Sequence, residues 1–232
     1  MFTEIVYKPL FNLIVYLHNI APQHDFGVVI IVLALLVRAI FYPMTKKTLN
    51  VQKQMTKIQP EVKRIQQQYK NNKQEQGQRL MALYKEHKVN PMSGCLPLLV
   101  QLPIMVGLYQ ILRKDILSQS NLLYPSMHII GEPNYTFLGI VDLTAPNLFL
   151  ALAAGLTQYF SMQTSGMPTS TKKEDRFSFQ NQMRYISPVL TFFIAMKLSS
   201  GLAFFWAMTN GFTILQQVFN NYQSKKHEQR NA

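Results

Sequence analysis

The chain has 232 residues, 48% of them hydrophobic, and a formal net charge of +12 at pH 7. Because the apolar residues form long blocks and the charges fill the gaps between them, there is no room for a large soluble basic domain, which argues against DNA or RNA recognition as the main function. A single cysteine, Cys95, excludes an internal disulfide, and the sequence holds no phosphate loop, nucleophile elbow or metal-ligand spacing, so we expect no enzyme, no cofactor and no metal site.

Residues 1–25 are predicted to lie on the outer face of the membrane. Within segment 5–18 the apolar residues recur on one helical face, which is typical of an amphipathic helix at a membrane surface. Glu4 precedes any basic residue and Pro9 interrupts the apolar run, so the segment does not resemble a cleavable signal peptide. Residues 26–44 follow as the first predicted span, because a helix of this length matches a hydrocarbon core of about 30 Å.

Residues 45–93 are polar, rich in glutamine and basic, and they predict a cytoplasmic helical hairpin. Apolar residues of segment 51–69 recur at alternating spacings of four and three, the seam of an amphipathic helix. Pro60 predicts a kink or a restart within that helix. Asparagines 71–72 predict a turn, and the apolar residues of 80–84 mark a second, shorter helix. The alternative interpretation of this segment is a solvated basic linker.

The rest of the chain predicts four more spans, which makes the fold class an all-α polytopic membrane protein with five transmembrane helices. The spans are residues 94–112, 146–163, 185–198 and 201–221; an outer loop occupies 113–145, a cytoplasmic loop 164–184 and a cytoplasmic tail 222–232. The predicted inner segments hold 18 Lys and Arg residues, and the outer segments hold at most 4. The positive-inside rule therefore predicts an outer N-terminus and a cytoplasmic C-terminus.

Arg38 is the one charged residue of the first predicted span. An arginine at mid-helix costs about 2.5–3.5 kcal/mol on insertion scales, although Arg38 lies about 9 Å from the inner end, where its side chain can snorkel to the membrane surface. The five predicted spans contain no aspartate or glutamate, so they offer Arg38 no ion-pair partner. They offer neutral polar side chains instead: Gln101, Thr157, Gln158, Gln163, Thr209, Asn210 and Gln216.

An unpaired guanidinium among amides is best accommodated with water nearby, which favours a hydrated cavity that is open to the cytoplasm and lined by Arg38. Two alternatives remain at the level of single residues. Each amide could form a hydrogen bond between helices. Trp206, in the last span, could be an interfacial or packing residue.

The junction between the hairpin and the second span resembles the signature of the YidC/Oxa/Alb membrane insertases. The segment reads KEHKVNPMSGCLP from Lys85 to Pro97 and continues to QLPI at Gln101–Ile104. The resemblance extends over nearly the whole chain and includes three further matches: Val37-Arg38 followed by Pro43-Met44-Thr45, Gln59-Pro60-Glu61, and Gly201-Leu202 through Trp206 to Asn210.

This resemblance implies a five-span core around a hydrophilic groove that is open to the cytoplasm and to lipid and closed on the outer face. Arg38 matches the family's arginine, and Gln158 and Trp206 are similar to groove positions on the third and fifth spans. With Gln101 and Asn210, they form the predicted substrate groove. The short tail and the lack of a large outer domain or a lipobox before the first span favour a bacterial plasma-membrane insertase without accessories.

The predicted function is insertion and folding of newly made membrane proteins. Nascent membrane proteins and anionic lipids are the expected partners, the ribosome and the Sec translocon are further candidates, and a monomer is compatible with the sequence. The alternative is a small-solute or anion transporter that uses Arg38 as its binding charge. Five spans without internal sequence symmetry argue against the transporter.

Overall fold

Helices make up most of the computed structural model, which describes residues 2–90, 96–114, 116–164 and 179–230. Cys95, the residues 91–94 of the family-like segment and most of the predicted loop 164–184 lie outside the described residues. The helices are α1 (Lys8–Ile20, after a π-helical turn at Thr3–Tyr7), α2 (Phe26–Ile40), α3 (Tyr42–Gln68), α4 (Lys73–Glu86), α5 (Leu96–Lys114), α6 (Leu148–Thr164), α7 (Phe179–Ala195) and α8 (Ser200–Arg230). Short 3₁₀ turns cover Pro22–His24 and Leu117–Leu122, and the strands β1 (Thr136–Phe137) and β2 (Val141–Asp142) pair antiparallel.

The segment between residues 134 and 147 is the point at which three helices begin. The amide of Phe26, the first residue of α2, donates to the Asn134 carbonyl at 2.9 Å, and that of Ser200, the first of α8, donates to the Ala145 carbonyl at 2.9 Å. The Asn147 side chain accepts from Phe149 N at 2.9 Å and so caps α6. We name this segment the outer hub, after the side of the membrane that the sequence predicts for it; because α2, α6 and α8 start there, their amino ends lie at the same end of the molecule.

The outer hub is itself ordered by polar contacts. Asp25 caps α2 by accepting from Gly27 N at 2.7 Å, and its second oxygen accepts from Leu138 N at 3.1 Å. The Thr144 side chain and backbone donate to Asp142, and these hydrogen bonds lower the pKa of the Asp142 carboxyl. The turn that leads into α6 is therefore held by an ionised side chain.

The largest apolar cluster joins α1, α2, α5 and α8. Phe11 and Ile14 of α1, Ile30 of α2, Leu108 of α5 and Phe205 of α8 are all fully buried in it. Residues 5–18 are thus helical as predicted, but the apolar face of α1 is covered by the other helices. Its location on a membrane surface remains a prediction.

The first predicted span is divided into two helices. α2 ends at Ile40, α3 begins at Tyr42, and the two helices are bent by 63°. Pro43 lies in the first turn of α3, where its missing N–H costs nothing, whereas in a continuous helix its ring would clash with the Ala39 carbonyl. The sequence prediction of one helix over 26–44 is corrected at this proline.

No single helix among the described residues is both long enough and apolar enough to cross a bilayer, whereas the bent pair α2–α3 has the length and composition to do so jointly. The number of spans therefore stays a prediction.

α3 and α4 form the predicted hairpin and have a small core of their own. Met55, Ile58 and Val62 of α3 are buried together with Leu83 of α4 and the following Val89. α3 runs through Pro60 as one helix, so the restart that this proline suggested does not occur. α4 is capped by the Asn72 side chain, which accepts from Glu75 N at 3.1 Å.

Small residues join α6 to α7 and α8. Ala151 and Ala154 of α6, Ala195 of α7, and Ala203 and Ala207 of α8 form a buried cluster. Close approach through small residues is typical of helix packing in membranes, where van der Waals contact takes the place of the hydrophobic effect.

Candidate substrate groove

Three helices meet near their outer ends at Gly201, which supplies a common reference level for depth. A Cβ atom at Gly201 would lie 2.8 Å from Cδ1 of Leu112 on α5 and 3.2 Å from Cδ1 of Ile30 on α2. α2 and α8 run away from the outer hub, whereas α5 runs toward it and ends at Lys114. Two residues later, the Ile116 amide donates to the hydroxyl of Tyr135, a residue of the outer hub, at 3.2 Å. Positions on these three helices can therefore be compared by counting residues from this point.

Three of the five predicted groove residues lie at a similar depth. Arg38 is eight residues beyond Ile30, about 12 Å along α2. Asn210 is nine residues beyond Gly201, about 14 Å along α8, and Gln101 is eleven residues before Leu112, about 16 Å along α5. We call this level the polar layer.

Residues of the polar layer have buried nitrogen atoms with no hydrogen-bond partner among the described residues: Nε of Arg38, Nε2 of Gln101 and Nδ2 of Asn210. Asn210 is 7% exposed, and the other two residues are half-buried. Nε2 of Gln216, six residues further along α8, is also buried and has no hydrogen-bond partner among the described residues. A buried polar atom without a partner costs about 1–3 kcal/mol, so such atoms indicate a place where water or a polar ligand is bound.

Gln158 differs from these residues because its amide has a protein partner. Its Nε2 donates to Oγ of Ser187 on α7 at 3.2 Å. The alternative that the sequence left open for each amide, a hydrogen bond between helices, therefore applies to Gln158.

Trp206 is half-buried and packs against both the large apolar cluster and the small-residue cluster. Its carbonyl accepts from the Thr209 hydroxyl at 3.0 Å. Its side chain thus has the packing role that the sequence also allowed.

Arg184 is a residue that the sequence analysis did not single out. It was counted with the cytoplasmic loop, yet in the structure it lies within α7 and is 8% exposed. The signal was present: Arg184, Pro188, Thr191 and Ala195 follow each other at spacings of four, three and four, and all four are buried.

A cavity of about 490 Å³ lies near the C-terminal end of α5, away from the polar layer. Its lining comes from the N-terminal turn, the end of α5 and the following 3₁₀ turn: Thr3, Tyr7, Gln110, Lys114, Ser118, Gln119, Asn121 and Leu122. None of the five predicted groove residues lines it.

The chain matches the family model described as 60Kd inner membrane protein over residues 16–228. It is 32% identical to "Membrane protein insertase YidC" of Clostridium tetani, over 89% of this chain and 86% of that one, and 32% identical to the protein of the same name of Fusobacterium nucleatum, over 92% and 96%. A YidC of Syntrophus aciditrophicus is 33% identical over 93% of this chain and only 36% of its own length.

Among solved structures, the chain is similar to an active YidC insertase whose first transmembrane domain is resolved in the crystal. The TM-score is 0.63 at 26% identity, and the match covers 95% of this chain and 46% of that one. The present chain thus spans less than half of the solved protein. The family model, the relatives and the structural match agree with the resemblance in the motifs: the chain belongs to the YidC/Oxa/Alb family of membrane protein insertases.

Proposed function

We propose that this chain inserts newly made membrane proteins into the bacterial plasma membrane and assists their folding. The names of the similar proteins support the general activity. In this proposal the chain crosses the membrane five times with its C-terminus in the cytoplasm. Arg38, Gln101, Gln158, Trp206 and Asn210 line a hydrophilic groove that opens to the cytoplasm.

The polar layer is the observation that carries the proposal. Arg38, Gln101 and Asn210 come from three different helices, lie at a similar depth and each have a buried nitrogen without a partner in the described part of the chain. One unsatisfied buried atom costs about 1–3 kcal/mol, so three of them together would cost several kcal/mol. Water or the backbone of a polar segment would satisfy them, which is what a groove for a translocated tail must offer.

Arg38 gives the groove its charge. A substrate's hydrophilic tail enters from the cytoplasm, and acidic residues on it are attracted to the guanidinium in a region where the dielectric constant is low. The apolar span of the substrate then moves sideways into lipid. The membrane potential contributes about 2.3 kcal/mol per charge per 100 mV by drawing acidic residues outward.

The hairpin α3–α4 is proposed to act at the membrane surface. Residues 45–93 hold eleven basic and three acidic residues, a net charge of +8. Such a surface attracts anionic lipid headgroups at about 1 kcal/mol per basic residue and would also attract nascent chains or ribosomal RNA. The ribosome and the Sec translocon are candidate partners on this surface.

The decisive experiment is reconstitution of the purified chain into lipid vesicles with a single-span test protein. We expect the vesicles to protect the translocated tail from protease, and vesicles without the chain to protect little of it. Release of a trapped labelled anion without protection of the tail would favour the transporter and overturn the insertase proposal. Labelling of single cysteines in a Cys95→Ser background tests the orientation. If a cysteine at position 73 reacted only with a reagent added on the outer side of the membrane, the proposed orientation would have to be reversed.

A further inference from the structure

Arg184 is held on the inward face of α7. It shares this face with Pro188, Thr191 and Ala195, and it is 8% exposed. The opposite face is apolar and open, with Tyr185 61% and Phe193 59% exposed. A lipid-anchoring arginine would be expected on that open face, so the position of Arg184 favours a ligand that approaches from within the helix assembly.

The contacts between α6 and α7 give the depth of Arg184 relative to α6. A Cβ atom on Gly155 would lie 3.2 Å from Cβ of Phe192, and Gln158 bonds to Ser187, so the two helices run in opposite directions. Arg184 is three residues, about 5 Å, beyond Ser187 toward the inner end. Arg184 therefore lies on the cytoplasmic side of Gln158, a residue of the predicted groove.

The guanidinium has no acidic neighbour on either helix. α6 and α7 contain no aspartate or glutamate. Nε of Arg184 is buried and has no hydrogen-bond partner in the described parts of the chain. Among the described residues of α6 and α7 this buried cation has no counter-charge, which is costly, and a carboxylate is the ligand that offsets this cost best, because it accepts two parallel N–H bonds from a guanidinium.

The depth of Arg184 places it before Arg38 on a path from the cytoplasm. Ala195 packs in the small-residue cluster with Ala203, two residues inward of Gly201. Arg184 is eleven residues beyond Ala195, so it lies about 20 Å from the level of Gly201, against about 12 Å for Arg38. The two arginines are thus about 8 Å apart in depth, the length of a few extended residues.

We propose that Arg184 is a second anion site, which binds carboxylate side chains of the substrate's translocated tail before they reach Arg38. This inference rests on the proposed insertase function. It predicts that acidic tails are captured in two steps, first at the inner end of α6 and α7 and then at the polar layer. Two successive sites make it easier for a charge to leave each one, as in pores with several weak binding sites.

The test is vesicle insertion of two single-span proteins that differ only in the tail, one with Asp and Glu and one with Asn and Gln at the same positions. We expect Arg184→Ala to slow insertion of the acidic tail about three- to tenfold and to leave the neutral tail within about twofold. Arg184→Lys should restore part of the rate, because the charge is retained but the two parallel N–H bonds of the guanidinium are lost. Lys197→Ala, just beyond the outer end of α7, removes a charge from an exposed residue and is the matched control.

The outcomes distinguish a failure of this inference from a failure of the proposed insertase function. Equal slowing of both tails by Arg184→Ala would mean a structural role and overturn the inference, as would a loss that is seen only in vesicles with anionic lipid, which would indicate a lipid phosphate as the ligand. Wild-type rates for Arg184→Ala on the acidic tail would also overturn it while leaving the insertase proposal intact. Failure of the wild-type chain to insert either tail would instead overturn the proposed function.

Discussion

Nε2 of Gln158 on α6 donates a hydrogen bond to Oγ of Ser187 on α7 at 3.2 Å. Both residues are half-buried, and the bond lies about one turn from Gly155 of α6, which packs against Phe192 of α7. Gln158 was predicted as a groove residue. In the structure its amide also fastens α7 to α6, so a substitution at Gln158 has two consequences that must be separated.

Single substitutions of Gln158 and of Ser187 distinguish the effect on helix packing from the effect on insertion. Ser187→Ala should destabilise the α6–α7 contact by about 0.6 kcal/mol, the average for hydrogen bonds between membrane helices, and leave insertion within about twofold because the amide remains. Gln158→Leu should slow insertion several-fold. Thermal unfolding in detergent and vesicle insertion measure the two effects, with Gln163→Leu on the exposed side of α6 as control. Equal insertion by Gln158→Leu and wild type would leave Gln158 with a packing role only.

Arg38 is expected to act as a charge in the groove. Arg38→Ala should lower insertion of an acidic-tailed substrate about tenfold or more with unchanged protein level, and a tail without charge should be least affected. Arg38→Lys should keep much of the activity, because attraction of an acidic tail needs charge more than a bidentate fork. Arg113→Ala, an exposed arginine at the end of α5, is the control. Wild-type insertion of the acidic tail by Arg38→Ala would show that Arg38 only snorkels.

The hairpin core offers a test that keeps the chain length constant. Ile58 is 4% exposed beneath α4, so Ile58→Asp should unfold the hairpin, because an ionised carboxylate would have to be buried there. Gln54→Asp adds the same charge one turn away on the exposed side of α3 and should leave the hairpin folded. Limited proteolysis reports the folding of α3–α4. Deletion of residues 50–88 should cripple insertion while the remaining helices assemble.

Full insertion by the deletion variant would reduce the hairpin to a linker. Insertion that fails in Gln54→Asp as strongly as in Ile58→Asp would show that net charge, and not the folded hairpin, is what matters.

Gly27 is required where α2 passes the outer hub. A Cβ atom at Gly27 would overlap the ring of Phe137, so Gly27→Ala should displace β1 and cost about 1–3 kcal/mol of stability. Gly77→Ala in α4 meets nothing within 4 Å and should instead stabilise its helix by about 0.5–1 kcal/mol. Thermal unfolding in detergent compares the two. A Phe137→Ala background should relieve the strain of Gly27→Ala; no relief would place the strain elsewhere.

The location of most helices and the family were available from the sequence. Long apolar blocks and the alternating spacing of residues 51–69 predict helices because periodicity is local, and the string from Lys85 to Pro97 identifies the family without any coordinates. The break at Phe41 also has a local signal, since Pro43 disfavours a continuous helix over 26–44. The prediction there followed hydropathy across the proline and missed the bend.

The partners and burial of the polar side chains depend on which helix faces meet, and this only the tertiary structure decided. The amide of Gln158 ends on Ser187, 29 residues along the chain, whereas Asn210 is 7% exposed and its Nδ2 has no partner in the described residues. The sequence assigned Arg184 to a loop, whereas in the structure it lies within α7 and is 8% exposed. Spacing along one helix defines a face, but the energy of a buried polar atom is set by atoms from distant segments, and these are brought to it only by the fold.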